Sequence, residues 1–298
     1  MRVSGSGMGC PDWPKCFGKL IPPTKLSQLP TDYKVIFASP GKPVADFNAF
    51  HTWTEYINRL IGALTGLFIA ITMLSSFQYY KTKKHIFFLA LAAFVLVLFQ
   101  AWIGAKVVDT HLAGWMVSVH LVLALIVVIL VMVAVFNLEK VQKVKRVFSV
   151  DKLLQTNALL FAFTFIQIVW GSQVREKVTL AISQGYLDNW VKELATILSG
   201  HVFLSFLVLF LNIYLWQKVS SSFEKDSPCR RVIFVSLLML LAQIATGFLN
   251  ISLNFPAIAQ VIHIFAGSVA FGCQWFSLIL FWNSRQIRFN SVNITVSR

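Results

Sequence analysis

Charge is what this chain lacks. Of its 298 residues only 12 are Asp or Glu, and 13% carry any charge, against about 25% in an ordinary soluble domain. A charged outer shell is therefore excluded, and 57% hydrophobic residues with 27 Phe make this the composition of an integral membrane protein. Short segments of alternating polarity are missing too, which excludes a closed barrel. Long unbroken runs such as LVLALIVVILVMVAVF leave an all-α fold. Acids are scarcest inside those runs. Only Glu55 and Glu193 are near them, both at segment ends, so a proton relay built on intramembrane carboxylates is disfavoured. No set of ligands for a tetrahedral zinc shell stands near the membrane histidines either.

Seven segments, near 53–79, 86–108, 112–137, 153–174, 194–217, 232–252 and 256–282, reach the roughly 20 residues that a spanning helix requires. The net charge of +14 would suit nucleic acid, but its placement fits membrane topology and argues against a nucleic-acid partner. Lys81, Lys83 and Lys84 share one connection; Lys140, Lys143, Lys145, Arg146 and Lys152 share the next but one. Lys218, Lys225, Arg230 and Arg231 follow, then Arg285 and Arg288. Every second connection is basic, so these and the C-terminus are expected in the cytoplasm. Residues 1–52 and the loops near 105–111, 175–193 and 253–255 are then outside. In an oxidising exterior Cys10 and Cys16, spaced C-x5-C among Pro and Gly, are expected to pair as a disulfide. Cys229 and Cys273 are expected to be free, and His85 and His111, in loops, to be solvated.

Self-similarity organises the apolar part. Gln100 opens Q-x3-G with Gly104, and Gln243 opens Q-x3-G with Gly247; the offset 243 − 100 = 143 also separates His120 from His263 and Asn58 from His201. Two homologous halves are implied, a parallel repeat. The expected organisation is an outer loop over 1–52, a first half-bundle over 53–137, a basic linker over 138–152, a second half-bundle over 153–282 and a tail over 283–298. The second half has four helices and the first only three. The counterpart of 153–174 is expected before residue 1, with Arg175 matching Arg2. The fold class is thus two homologous four-helix bundles, the first without its N-terminal helix.

Ionisable groups inside a bilayer point to function. His120, His201 and His263 each fall about two turns below the outer end of an outside-to-inside helix. Two imidazoles at one height on facing helices suit a haem iron, and His201 with His263 form the candidate pair. A small residue follows each landmark by four positions: Gly62 after Asn58, Ala124 after His120, Ser205 after His201 and Gly267 after His263. These are on the same face and leave room for a macrocycle, although small residues also serve helix packing. The first-half pair is Asn58 and His120, and Asn is a poor iron ligand. His51, seven residues before Asn58, is a candidate substitute. Glu55 shares that face, where it is either functional or a favourable charge at a helix N-terminus. Arg59 and Arg175 are candidates for haem propionates or simply snorkel. Gln100 and Gln243 are expected to bond between helices or line the pockets.

GSGMGCPDWPKC with LIPP, then EYINRLIG, then His120, His201 and His263 in paired halves resemble the haem A synthase family of cytochrome oxidase biogenesis. The resemblance implies a haem b cofactor held by His201 and His263. It also implies a haem O substrate site in the first half, with His120 as iron ligand and Glu55 near the reaction. The family oxidises a haem methyl group to a formyl, with electrons from a separate donor. One departure stands out: the family motif E-x-x-H reads E-x-x-N here, with Asn58 at the His position. Either His120 ligates alone and leaves an open position, or His51 fills in, or this half is inactive. The Cys10–Cys16 loop would lie over the first-half pocket as a staple, a lid or a redox contact.

The resulting expectation is a multi-pass enzyme of a bacterial-type cytoplasmic membrane that makes haem A from haem O. Haem O synthase, oxidase assembly factors and a second copy of the chain are expected partners. The alternatives are a non-catalytic cytochrome b and a haem-binding assembly or transport protein.

Overall fold

A computed structural model describes residues 6–38, 44–110, 112–136, 150–183 and 194–296, with side chains through Arg285. Arg2, His111, Lys140, Lys143, Lys145, Arg146, Glu193 and the side chain of Arg288 lie outside the described residues. The described elements are helical: a short α1 (Tyr33–Ile36) and seven long helices. These are α2 (Ala49–Ser76), α3 (Lys84–Asp109), α4 (Gly114–Phe136), α5 (Val150–Ser183), α6 (Ala195–Ser222), α7 (Pro228–Ser252) and α8 (Ala257–Val296). All seven long helices have spans of sufficient length and apolarity to cross a membrane. This is an all-α integral membrane protein. The chain divides into two compact units, Met1–Ala134 and Val135–Arg298.

In the second unit α5 packs on α6 and α8, and α7 packs on the same two, so four helices close a ring. Seven-residue spacing builds its core. Leu153, Leu160, Gln167, Val174 and Ala181 on α5 are buried at that interval, as are Val208 and Leu215 on α6, Ile233 and Leu240 on α7, and Ala270, Ser277 and Ser284 on α8. Such a seam keeps one face toward the neighbours along a left-handed bundle. Extended by one step, the seam reaches His201 on α6, Gly247 on α7 and His263 on α8. Away from the histidines, amides and hydroxyls hold the helices together. Asn157 Nδ2 donates to Ser277 Oγ (2.6 Å) and Gln274 O (3.1 Å), and Asn212 Nδ2 donates to Ser236 Oγ (2.7 Å).

Two helices run longer than their apolar segments suggest. α5 continues to Ser183 because Val174, Val178 and Ala181 recur at helical spacing inside an otherwise polar stretch. They pack against Trp170, Ile197, Leu198 and Ile251. α8 continues to Val296, past an Arg285 Nε–Asp151 Oδ1 ion pair at 2.8 Å that ties it to the start of α5.

In the first unit α2 packs on α3, and the chain before α2 is a folded cap. Cys10 and Cys16 form a disulfide with Cα atoms 4.9 Å apart. Cys16 and Lys19 exchange backbone hydrogen bonds of 2.9 and 3.2 Å across a tight turn at Phe17 and Gly18. Both turn residues have positive φ, 53° and 72°, which Gly18 adopts freely and Phe17 only under constraint. The constraint is visible: the Asp12 carboxylate accepts the Phe17 and Gly18 N–H groups at 2.6 and 2.9 Å. The Phe17 ring is wedged edge-on among Tyr33, Phe37 and Phe47, with centroids 5.6 to 5.9 Å away. Cys10, Cys16, Phe17, Leu29 and Tyr33 are the buried core of this cap.

The disulfide and the free thiols Cys229 and Cys273 fix a stoichiometry. Maleimide labelling of the denatured protein should modify two of the four cysteines before reduction and all four after it. Labelling of all four without reductant would mean that the cap is not cross-linked.

Candidate functional site

His120, His201 and His263 are each the seventh residue of their helices α4, α6 and α8. Six residues at 1.5 Å each place them about 9 Å from the helix start. Each is gripped by a glutamine from an adjacent helix. Gln100 Nε2 on α3 donates to His120 O at 2.7 Å, and Gln243 Nε2 on α7 donates to His263 O, also at 2.7 Å. The offset of 143 is thus an offset between two equivalent contacts. One turn further along each glutamine's helix stands the glycine of Q-x3-G. A Cβ built on Gly104 or on Gly247 would be 3.4 Å from Cε1 of its histidine.

A third clasp escaped the sequence reading. Gln167 Nε2 on α5 donates to His201 O at 2.9 Å and lies 3.4 Å from His201 Nε2, while a Cβ on Gly171 would come within 2.9 Å of the His201 Cε1. Gln167 and Gly171 spell the same Q-x3-G. The pattern was present, but the residue 143 positions before Gln167 is Thr24, in the cap, so the shared offset does not point to it.

The four small residues do different things. A Cβ on Gly267 would collide with the Gln243 amide, so that space is taken by the clasp. A Cβ on Gly62 would meet nothing within 4 Å. Ser205 Oγ donates to Val202 O at 2.6 Å, and Ala124 is half-buried.

The chemistry of the second-unit donors fits a bis-imidazole haem. His263 Nδ1 is 2.9 Å from the Gln243 main-chain oxygen, which can only accept. Nδ1 therefore carries the proton and Nε2 keeps the lone pair that a metal requires. His201 Nδ1 is buried without a partner. The clasp glycines keep Cβ atoms away from both rings. Among the described residues no three His, Cys, Asp or Glu gather as a metal cluster, so a group held here would be held by paired imidazoles.

In the first unit, the His120 Nδ1 and Gln100 Oε1 atoms are likewise buried and unpaired. The residues on α2 separate. Asn58 is exposed beside the open Gly62 face, whereas Glu55 is 2% exposed beneath the cap. Three residues rotate a helix by 300°, so the two sit on neighbouring strips and the cap covers only one. Glu55 Oε2 accepts the Cys10 N–H at 3.0 Å, and its Oε1 accepts Arg59 Nη2 at 2.6 Å. Arg59 Nη1 donates onward to the Asp12 and Lys15 carbonyls, both at 2.9 Å. Thr52 Oγ1 donates to Gly9 O at 2.9 Å, and Gly9 lies so close to the His51 carbonyl that any Cβ would collide with it. Glu55 and Arg59 therefore bind the disulfide loop. His51 faces the cap, where it lines a cavity of about 300 Å³ with Met8, Phe17, Asp46, Phe47 and Asn48. Arg175, on α5, stacks over Phe255 with 5.2 Å to the ring centroid. His85 is exposed at the start of α3.

The fold is that of a helical membrane protein, and imidazoles clasped inside a bundle are donors of the kind that suit a tetrapyrrole iron. The profile of the cytochrome oxidase assembly protein family matches residues 1–274. Haem A synthase from Wolbachia sp. subsp. Brugia malayi is 24% identical over 94% of this chain and 87% of its own length. The haem A synthase of Exiguobacterium sp. is 24% identical over 90% of this chain and 81% of its own. That of Shewanella oneidensis is 32% identical over 40% and 34%. The chain belongs to the haem A synthase family of cytochrome oxidase assembly proteins.

Removing one partner of a buried ion pair costs about 3 kcal/mol or more. Arg59→Met keeps the aliphatic stem and strips three hydrogen bonds from the cap and Glu55. Amide exchange at Cys10 and its neighbours should accelerate in proportion, and dithiothreitol should reduce the Cys10–Cys16 bond faster. Unchanged protection of the cap would contradict the anchoring role.

Proposed function

We propose that this protein oxidises a methyl group of haem O to the formyl group of haem A. In this reading, residues 153–282 form the half-bundle that holds a haem b cofactor between His201 and His263. Residues 53–137 form the half-bundle that receives haem O, and the basic segments 138–152 and 283–298 are cytoplasmic. Residues 1–52 face the exterior of a bacterial-type cytoplasmic membrane. The observation that carries the reading is the recurrence of one device, a Gln-x3-Gly segment grasping a helix-borne histidine, twice in the second unit and once in the first.

Haem, when bound, supplies the redox chemistry. The chain's own residues hold and enclose it. His201 and His263 would hold the cofactor from opposite helices, their main chains tied by Gln167 and Gln243. In the first unit His120 is the one clasped imidazole, and Asn58, at the family's histidine position, supplies no strong iron ligand. His120 would then be the protein's ligand to the iron of a bound substrate. Glu55 holds the cap down over the start of α2, where the disulfide cross-link keeps the loop short and excludes water. Electrons come from a separate donor.

The test is pigment extraction from cells that express the protein together with a source of haem O. Formyl-bearing haem A should accumulate. Haem b bound to the purified protein with haem O left unchanged would instead identify a non-catalytic cytochrome b. His201→Ala and His263→Ala should each abolish the low-spin spectrum, and His120→Ala should remove activity while that spectrum survives. Retention of the spectrum by both second-unit variants would refute the cofactor pocket.

A further inference from the structure

The three histidine clasps differ at the Nδ1 atom of the histidine. His263 Nδ1 has two oxygens around it, the Gln243 main-chain carbonyl at 2.9 Å and the Thr246 hydroxyl at 3.2 Å. The Nδ1 atoms of His120 and His201 are buried with no partner. Thr246 occupies the position just before the glycine of its Q-x3-G segment. At that position the other two clasps have Ile103 and Trp170, neither of which offers an acceptor.

The hydrogen-bond roles follow from donor chemistry. Thr246 is buried, and its hydroxyl donates to Ala242 O at 2.7 Å. With that proton engaged, the Thr246 lone pairs are what His263 Nδ1–H meets. The carbonyl and the hydroxyl thus form a two-oxygen cradle that accepts only a protonated Nδ1. Hydrogen bonding from that nitrogen makes Nε2 a stronger donor and fixes the plane of the ring. The His201 ring has Gly171 beside it and Gln167 Nε2 3.4 Å from its Nε2, and nothing meets its Nδ1.

We infer that Thr246 is a positioning residue that makes His263 the strong, fixed axial ligand of the second-unit haem and leaves His201 the weaker, displaceable one. The inference rests on the assignment of His201 and His263 as haem ligands. Ligand basicity stabilises ferric over ferrous iron, so the Thr246 hydroxyl lowers the midpoint potential. It also slows the loss of haem.

Redox titration of the purified wild type, Thr246→Val and Thr246→Ser tests it. The valine variant keeps the side-chain volume and should shift the midpoint to more positive values. It should also lose haem to excess apomyoglobin about 10-fold faster, the lower end of what removing such a partner does. The serine variant keeps the hydroxyl and should match the wild type in both measurements. If the valine protein does not accumulate, Thr246→Ala must show the same positive shift. A valine or alanine variant with wild-type potential and haem retention overturns the role of Thr246, as does a serine variant that shifts as far as valine. A wild type with no low-spin haem overturns the pocket itself, which is a separable outcome.

Discussion

A glutamine amide that reaches across to the main-chain carbonyl of a histidine on the next helix is the contact on which each unit depends. Apolar helix faces slide past one another with little preference, because lipid and leucine are equally apolar to a neighbouring leucine. A polar group that must find its partner removes that freedom. An interhelical hydrogen bond of this kind contributes only about 0.6 to 2 kcal/mol, so it sets register more than stability. The glycine one turn away completes the device by letting the histidine ring fit against bare backbone. Seven-residue seams of Leu, Val, Ile and Ala below the histidines supply the packing that the clasp aligns.

The second constraint is the cost of burying charge. Glu55 is enclosed by the cap, and a lone carboxylate there would be prohibitive. It is tolerated because Arg59 and the Cys10 N–H meet both of its oxygens, and because Arg59 carries the connection on to the Asp12 and Lys15 carbonyls. The same network positions the cap and satisfies the charge. A group that a membrane segment marks as functional is here also an anchor, and the position of the disulfide depends on it.

Much of this was legible in the sequence because the signals were local or periodic. Apolar runs gave seven spans, the C-x5-C spacing gave the disulfide, and one repeated offset tied Gln100 to Gln243 as it tied His120 to His263. What stayed hidden depended on contacts between distant residues. The residue 143 positions before Gln167 is Thr24, so the offset could not find it, although its Q-x3-G stood in plain view. Phe17 looked like part of a polar loop until Tyr33, Phe37 and Phe47 closed around it. Glu55 and Asn58 seemed to share a face, and only the folded cap distinguished the strip it covers from the strip it leaves open. α5 outran its apolar segment because Val178 and Ala181 are spaced for packing inside a stretch too polar to suggest it.

The most direct measurement is near-infrared magnetic circular dichroism of the oxidised, purified wild-type protein, which identifies the axial ligands of low-spin ferric haem. A ligand-to-metal charge-transfer band at the bis-imidazole position is the predicted result, as His201 and His263 would produce. A band at the position for imidazole with thioether or thiolate, or a spectrum with no low-spin component, would contradict the account.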